Sequence, residues 1–211
     1  MKRDRFDSPY SLLNELVPGA ETPQDRALMR AFLFCGTALW LAILALQAQD
    51  TYPGGIVYGP KAAFKISAPA GWVLDNSAGA EQGLPCVLYP KGSSWQDSRT
   101  IMYAKIASTE FTDVDQFVAR SIKEMEKMHG KPKEKVVSGK TGDGKPYFIN
   151  EYPATKSYSQ WEQAAYIQLP GAVAYIILSS RDESSFHKDA PALQEVLKSF
   201  AYMEVKGEDR K

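Results

Sequence analysis

The sequence has few cysteines, no excess of either charge and only one long hydrophobic run. Its 211 residues include two cysteines, Cys35 and Cys86. A framework of disulfides, as found in small secreted domains, is therefore excluded. Lysine plus arginine and aspartate plus glutamate both number 25, so the net charge at pH 7 is zero. Since nucleic-acid-binding domains usually carry a basic excess or stripe, this balance argues against a nucleic-acid partner.

Motifs for catalysis and metal binding are also missing. Gly139-Lys140-Thr141 resembles the end of a phosphate-binding loop, but Glu134 occupies the position of that loop's first glycine. Cys86 could act as a nucleophile with His129 or His187 only if the fold brought them together, and an inert buried thiol is the simpler interpretation. Neither histidine has a ligand partner at metal-binding spacing. We therefore predict no catalytic, cofactor-binding or metal-binding residue and a protein that is not an enzyme. An extracytoplasmic hydrolase with a site invisible to sequence spacing is the alternative.

The long hydrophobic run covers residues 31–46, AFLFCGTALWLAILAL, and follows a basic residue. It matches a secretory signal that starts at Met1 or Met29 and is cleaved after Ala48. An uncleaved membrane anchor needs about 20 apolar residues, with about 17 as the lower end, so the run is slightly short, although residues 27–29 could extend it. A buried helix of a soluble protein is the third interpretation. The first two place the body of the chain outside the cytoplasm, in the periplasm or at the extracytoplasmic face of a membrane, and we favour the cleaved signal.

Composition divides the chain into five segments. Residues 1–30 are a polar tail, and residues 31–48 are the signal peptide or anchor. Glycine and proline are frequent in residues 49–61, which we predict to be a linker. Residues 62–205 form the folded domain, long enough to bury a core without disulfides. Residues 206–211 are a polar C-terminal tail.

The folded domain shows the period-two alternation and turn residues of a sheet. Strand-like segments occur at residues 63–67, 72–74, 86–89, 100–107, 133–141, 146–152, 157–169, 172–180 and 201–205. Gly142-Asp143-Gly144 and Pro170-Gly171 predict two hairpins. Residues 172–178 are almost continuously apolar, which indicates a central strand covered on both faces. We expect about seven strands in all.

Two helices are predicted. The first extends from Thr112, its N-cap, to His129 in its last turn. Its apolar face consists of residues at helical spacing: Val114, Phe117, Val118, Ser121, Ile122 and Met125. The second begins at Asp189 or Ala190, with Pro191 in its first turn. Its core face consists of Leu193, Val196, Leu197 and Phe200. The fold class is therefore α+β, a mostly antiparallel sheet covered by helices.

Aromatic residues supply the remaining candidate for a binding function. They concentrate in the hairpin region and one loop: Trp95, Tyr147, Tyr152, Tyr158, Trp161 and Tyr166. On strands such residues usually fill the core or cross-strand pairs. The alternative is an exposed aromatic surface that binds a protein partner or an apolar ligand. Trp161 and Tyr166 differ by five positions, so a regular strand directs them to opposite faces.

The order of elements, together with two short motifs, resembles the PsbP/DcrB-like group. The motifs are FKISAPAGW at residues 64–72, with its P-x-G-W turn, and Lys198-Ser199-Phe200 at the end of the last helix. The likeness covers roughly residues 62–205. It implies an α/β/α sandwich and an exported or membrane-attached accessory protein, such as a photosystem II extrinsic subunit or a bacterial envelope protein. No ligand motif of the group can be matched, so no binding residue is carried over.

These features predict an exported, non-catalytic envelope protein that binds a protein partner or a small ligand. Residues 31–46 would attach it to the membrane if the segment is not cleaved.

Overall fold

The computed structural model describes residues 54–205. The predicted polar tails and the signal or anchor segment lie outside the described residues. Within residues 54–205, no helix is both long enough and apolar enough to cross a membrane.

The described residues form ten strands and two helices. In chain order these are β1 (Gly54–Tyr58), β2 (Ala63–Ser67), β3 (Trp72–Asp75), β4 (Cys86–Pro90), β5 (Thr100–Ile106), α1 (Val114–His129), β6 (Lys133–Lys140), β7 (Pro146–Tyr152), β8 (Trp161–Leu169), β9 (Ala172–Ser180), α2 (Glu183–Ser199) and β10 (Ala201–Met203). A seven-stranded sheet has the order β3-β4-β5-β9-β8-β7-β6, and a small sheet has the order β1-β2-β10. Neighbouring strands pair antiparallel in both sheets. The predicted α+β fold class is confirmed.

The two predicted hairpins and the central strand are present. Strand β6 pairs with β7, and β8 pairs with β9, on either side of the predicted turns. Strand β9 lies between β5 and β8 at the middle of the large sheet, and nearly all of its side chains are buried. Its continuous apolar sequence therefore reflects coverage on both faces, as expected of an interior strand.

The main core lies on one face of the large sheet. Helix α2 and the small sheet cover this face, and Phe64 of β2 stacks on Phe200 with ring centroids 4.6 Å apart. Helix α2 contributes its buried side chains to this core: Phe186, Leu193, Val196 and Leu197. The opposite face carries two smaller clusters, one beneath α1 and one around Trp95. The sheet is thus covered on both sides, with α2 on the larger core.

One strand lies where the composition predicted a linker. Strand β1 occupies residues 54–58, inside the predicted linker at 49–61. It pairs with β2 in a register that sets Val57 opposite Phe64 and Ile56 opposite Lys65. The two glycines at its start masked the strand signal, because glycine lowers strand propensity, although β1 and β2 form a local antiparallel hairpin.

Three predicted boundaries are also wrong. Helix α2 begins at Glu183, several residues before Asp189, because Asp182 is its N-cap and accepts a hydrogen bond from the Ser185 amide at 2.8 Å. Pro191, predicted in the first turn, therefore lies inside the helix. The N-cap of α1 is Asp113 rather than Thr112. Strand β8 begins at Trp161 rather than at residue 157.

Candidate functional site

Helix α1 is attached to the sheet at its N-terminal end by polar contacts. The Asp113 side chain accepts a hydrogen bond from the Gln116 amide at 2.9 Å, which caps the helix. Gln168 of β8 accepts a hydrogen bond from the Val114 amide at 2.8 Å and donates one to the Thr112 carbonyl at 2.9 Å. A single glutamine side chain thus fixes the start of α1 over the sheet.

The apolar face of α1 is only partly covered. Val118 is its buried member, with 6% of its surface exposed. The other apolar residues of this face pack against the same cluster but remain half-buried: Val114, Phe117, Ile122 and Met125. A helix that packs with a full apolar stripe normally buries several of these positions. Part of the predicted apolar face is therefore open to contact with another molecule.

Aromatic side chains of the sheet lie beneath α1. The Phe117 ring meets those of Tyr175 and Tyr166, with centroids 5.3 and 6.1 Å apart. The ring centroids of Phe148, in β7, and Tyr166 are 5.5 Å apart. These separations are typical of tilted and edge-to-face aromatic pairs. Burial raises the pKa of the Tyr166 and Tyr175 hydroxyls, so both remain neutral at physiological pH.

A groove of about 290 Å³ separates α1 from strands β6 and β7. Its lining comprises Asp115, Val118, Ala119, Ile122, Glu134, Lys135 and Phe148. The helix contributes one stripe of this lining, since positions separated by three and four residues lie on one side of a helix. Ordinary ligand pockets measure about 300–1,000 Å³. The groove therefore lies at the lower end of this range, a size that can accept one or two side chains.

An irregular part of β6 borders the groove. The pairing of β6 with β7 shifts between Lys133 and Val137, as in a β-bulge. Lys135 has a positive φ of 50°, and its amide donates to the Asn150 side chain at 2.9 Å. The Lys135 ammonium lies over the Phe148 ring, 5.1 Å from its centroid. The bulge thus directs a cation onto the apolar floor of the groove, a favourable cation–π contact.

A buried polar cluster lies at the C-terminal end of α1. His129 and Glu162 of β8 have side chains exposed by only 3% and 8%, and the His129 Nδ1 and Glu162 Oε2 atoms are 4.0 Å apart. The Tyr158 hydroxyl donates to Glu162 Oε1 at 3.2 Å. The imidazole also packs against the rings of Tyr158 and Tyr152, at centroid distances of 3.9 and 5.6 Å. His129 Nδ1 has no hydrogen-bond partner within the described residues.

Burial controls the protonation of this cluster. Loss of hydration lowers the pKa of His129, and the Glu162 carboxylate offsets this only in part. Burial, followed by the Glu162 charge, raises the pKa of Tyr158 to about 12. The imidazole and the phenol are therefore neutral near pH 7. Both acid–base groups of the His129–Glu162 pair are covered by protein, so the geometry does not present them to a substrate.

The structure does not bring the candidate thiol and imidazole together. Cys86 belongs to the main core on the α2 face, whereas His129 lies at the end of α1 on the opposite face. Burial raises the pKa of the Cys86 thiol to about 12, which disfavours the reactive thiolate. His187 is exposed on α2, where its Nε2 atom lies 3.7 Å from Glu183. Gly139 and Lys140 belong to β6, followed by a turn rather than by the helix of a phosphate-binding loop.

The six aromatic residues, for which core or cross-strand packing was expected and a binding surface was the alternative, are distributed over several places. Trp95, Tyr152 and Tyr166 are buried. Trp161 and Tyr147 pack on the main core, and Tyr166 belongs to the cluster under α1. Trp161 and Tyr166 thus face opposite sides, as their spacing predicted. The sequence did not indicate the groove or the His129–Glu162 pair, since both form between elements distant in the chain. Among the described residues, no cluster of three or more histidine, cysteine or acidic side chains is placed to hold a metal ion.

No family model matches this chain, and no curated protein matches it. Among solved structures it is similar to the cyanobacterial PsbP of Synechocystis sp. PCC 6803, with 14% identity and a TM-score of 0.45 over 74% of this chain and 96% of that one. It is also similar to PA94 of Pseudomonas aeruginosa, a protein of unknown function described as a putative regulator. That match has 15% identity and a TM-score of 0.33 over 77% of this chain and 88% of that one. The first is a PsbP protein, the group that the sequence motifs resemble. At these scores neither likeness carries an argument about function.

Proposed function

We propose that this chain is an exported, non-catalytic accessory protein that binds a segment of another protein in the groove between α1 and strands β6 and β7. The observation that carries the proposal is the partly covered apolar face of α1 beside a groove of about 290 Å³. Half-buried apolar side chains next to an open groove are typical of surfaces that receive an apolar anchor from a partner.

The composition of the groove supports a protein segment as the occupant. Val118, Ile122 and Phe148 provide an apolar floor, while Asp115 and Glu134 place carboxylates at the rim. The lining also contains the Lys135 cation, so its two carboxylates leave a net negative charge, which suits an apolar side chain flanked by a basic residue. The volume, at the lower end of the range for ligand pockets, is sufficient for one or two side chains of a partner segment.

Two further observations support the export and the non-catalytic role. The basic residue followed by the hydrophobic run at residues 31–46 matches the pattern of an export signal or anchor. The hydrolase alternative needs accessible acid–base groups, whereas His129 and Glu162 are buried beneath α1. A binding role requires no accessible nucleophile, and it makes use of the apolar surface that the structure leaves open.

Site-specific photo-crosslinking in the source cells tests the proposal. A photo-reactive residue at Ala119 lies in the groove, and the same residue at the exposed Gln116, which does not line the groove, is the matched control. We expect a discrete adduct with one protein from position 119 and not from position 116. Adding Phe148→Ala to the Ala119 probe should reduce its yield by about tenfold, as expected for the loss of an interface anchor. Equal adducts from both positions, or none at 119, would contradict the proposal.

A further inference from the structure

The two ends of α1 are held to the sheet in different ways. At the start, the Gln168 side chain makes two hydrogen bonds, one with the first helical amide, of Val114, at 2.8 Å and one with the Thr112 carbonyl just before the N-cap at 2.9 Å. At the end, His129 approaches the carboxylate of Glu162 only to 4.0 Å, beyond hydrogen-bond distance. The residue after His129 is Gly130, with φ of 70°, a backbone conformation that favours glycine. The last turn of α1 thus contacts the layer beneath it through the buried His129 imidazole, which packs against Tyr152 and Tyr158.

Three titratable groups contact His129, and only one of them is a carboxylate that can stabilise an imidazolium. Strand β8 contributes Glu162, strand β7 contributes Tyr152, and the loop between them contributes Tyr158. The Tyr158 hydroxyl already donates to Glu162, so one carboxylate oxygen is occupied. A proton added to His129 would create a buried cation whose Nδ1 atom has no acceptor within hydrogen-bond distance in the described residues. Such a charge is strongly disfavoured unless the group reaches water.

From this geometry we infer that mild acidification releases the last turn of α1 from the sheet, with His129 as the residue that takes up the proton. The released imidazolium gains hydration, and Gly130 accommodates the change in backbone direction. The lowered pKa of the buried imidazole agrees with this direction, because burial outweighs the attraction of Glu162.

The release regulates the groove, and in this respect the inference rests on the proposed function. Ile122 lines the groove and lies two turns before His129 on the same helix. Movement of the last turn changes the distance between α1 and the bulge of β6, and with it the shape of the groove. A partner segment that fits the groove at neutral pH is then expected to dissociate on acidification.

Histidine NMR gives the first test, because the chain contains only two histidines. The full chain in detergent micelles is titrated from pH 8 to pH 4, and the two ring signals are assigned with the variants His129→Gln and His187→Gln. We expect the His129 signal to titrate below about pH 6.5, the ordinary midpoint of histidine. A midpoint at or above that value would overturn the inference, since it would mean that the fold stabilises the imidazolium.

Hydrogen–deuterium exchange then tests whether the proton releases the helix. After correction for the intrinsic rate, amides of the last two turns of α1 should exchange faster by up to about tenfold for each pH unit below the onset. The acceleration should disappear in His129→Gln and persist in His187→Gln, the matched control. In Glu162→Gln the onset should move to lower pH, because the carboxylate no longer favours the proton. Exchange in α1 that does not respond to pH, or that responds equally in His129→Gln, would overturn the inference.

The tests of the acid-driven release and the test of groove binding can fail independently of each other. If His129→Gln does not fold, His187→Gln alone assigns the two ring signals, and the pH dependence of exchange in the unmodified chain and in Glu162→Gln still decides the question. Neither readout involves a partner, so a failure here leaves groove binding at neutral pH to be judged by the Ala119 crosslink. Conversely, a negative crosslink leaves the acid-driven release to be judged by exchange.

Discussion

The two faces of the large sheet are covered in different ways. Helix α2 contributes four fully buried side chains to the main core, and the Phe64 and Phe200 rings stack in the same core. Among its described side chains, helix α1 buries Val118 and, in its last turn, His129, over a layer that includes tyrosines and a carboxylate. The α2 face therefore contributes most of the burial that stabilises the fold, whereas the α1 face retains polar groups and open apolar surface. This contrast explains why we assign binding to α1 and stability to α2.

The largest expected difference comes from equivalent truncations on the two helices. Leu193→Ala removes a fully buried side chain of α2 and should lower the free energy of unfolding by about 2–5 kcal/mol. Ile122→Ala removes a half-buried side chain of α1 and should lower it by about 1 kcal/mol. Urea unfolding followed by circular dichroism measures both. Equal losses would mean that α1 is as firmly packed as α2.

A close backbone approach between Gly142 and the end of α2 gives a second test of how firmly this helix is packed. A Cβ atom at Gly142 would lie 2.1 Å from the Lys198 carbonyl oxygen, so Gly142→Ala should destabilise the fold by about 1–3 kcal/mol. Gly139→Ala is the matched control. Its Cβ would meet the hydroxyl end of the Tyr147 side chain at 2.7 Å, and that side chain can move aside. In thermal unfolding, Gly142→Ala should therefore have a lower melting temperature than Gly139→Ala. Similar melting temperatures would show that the turn at Gly142 adjusts to an added Cβ atom as easily as the Tyr147 side chain does.

The two helices should also lose stability in different pH windows. The pKa of His129 is lowered in the folded state, so its contribution is complete above about pH 6.5 and is lost as the pH falls further. Hydrogen bonds from Ser185 and Ser184 lower the pKa of Asp182 to about 2, so its contribution is lost only between about pH 4 and pH 2. Unfolding curves of His129→Gln should lack the first window and those of Asp182→Asn the second. A single transition unaffected by His129→Gln would contradict the assignment.

The smallest effect on stability is expected in the groove. Ala119→Arg adds a long cation at an exposed position of α1, and surface substitutions of this kind usually change stability by about 0.5 kcal/mol or less. The same substitution should reduce partner binding strongly, because the side chain occupies the groove. Gln116→Arg, with the same added charge outside the groove, should change neither quantity. If Ala119→Arg lowered the free energy of unfolding by well over about 0.5 kcal/mol, the groove would be part of the packed core.

Local sequence patterns predicted the features that depend on near neighbours. The turn residues at 142–144 predicted the β6–β7 hairpin, and the apolar spacing from Val114 to Met125 predicted α1 and its inward face. The start of α2 was missed because Pro191 suggested a first turn, although the Asp182 cap and the buried Phe186 determine where the helix begins. Aspartate followed three residues later by a serine amide was the local signal available.

The candidate site itself could not be predicted from the sequence. His129 ends a helix, Tyr158 lies in a loop and Glu162 lies in a strand, and no spacing relates the three. They meet because β7 pairs with β8, which sets Tyr152 opposite Glu162, and because α1 crosses the same face. The groove likewise depends on a bulge in β6 that leaves no mark on the hydrophobic pattern. Both features arise from tertiary packing.

Native-state hydrogen exchange at pH 7.5 tests the central contrast most directly. Amides of α2 should exchange only through global unfolding, because its side chains form the main core. Amides of α1 should exchange through a local opening of lower free energy, and Ile122→Ala should accelerate them without changing α2. Equal protection of the two helices, lost together in denaturant, would contradict the view that α1 is the loosely held, partner-binding side of the fold.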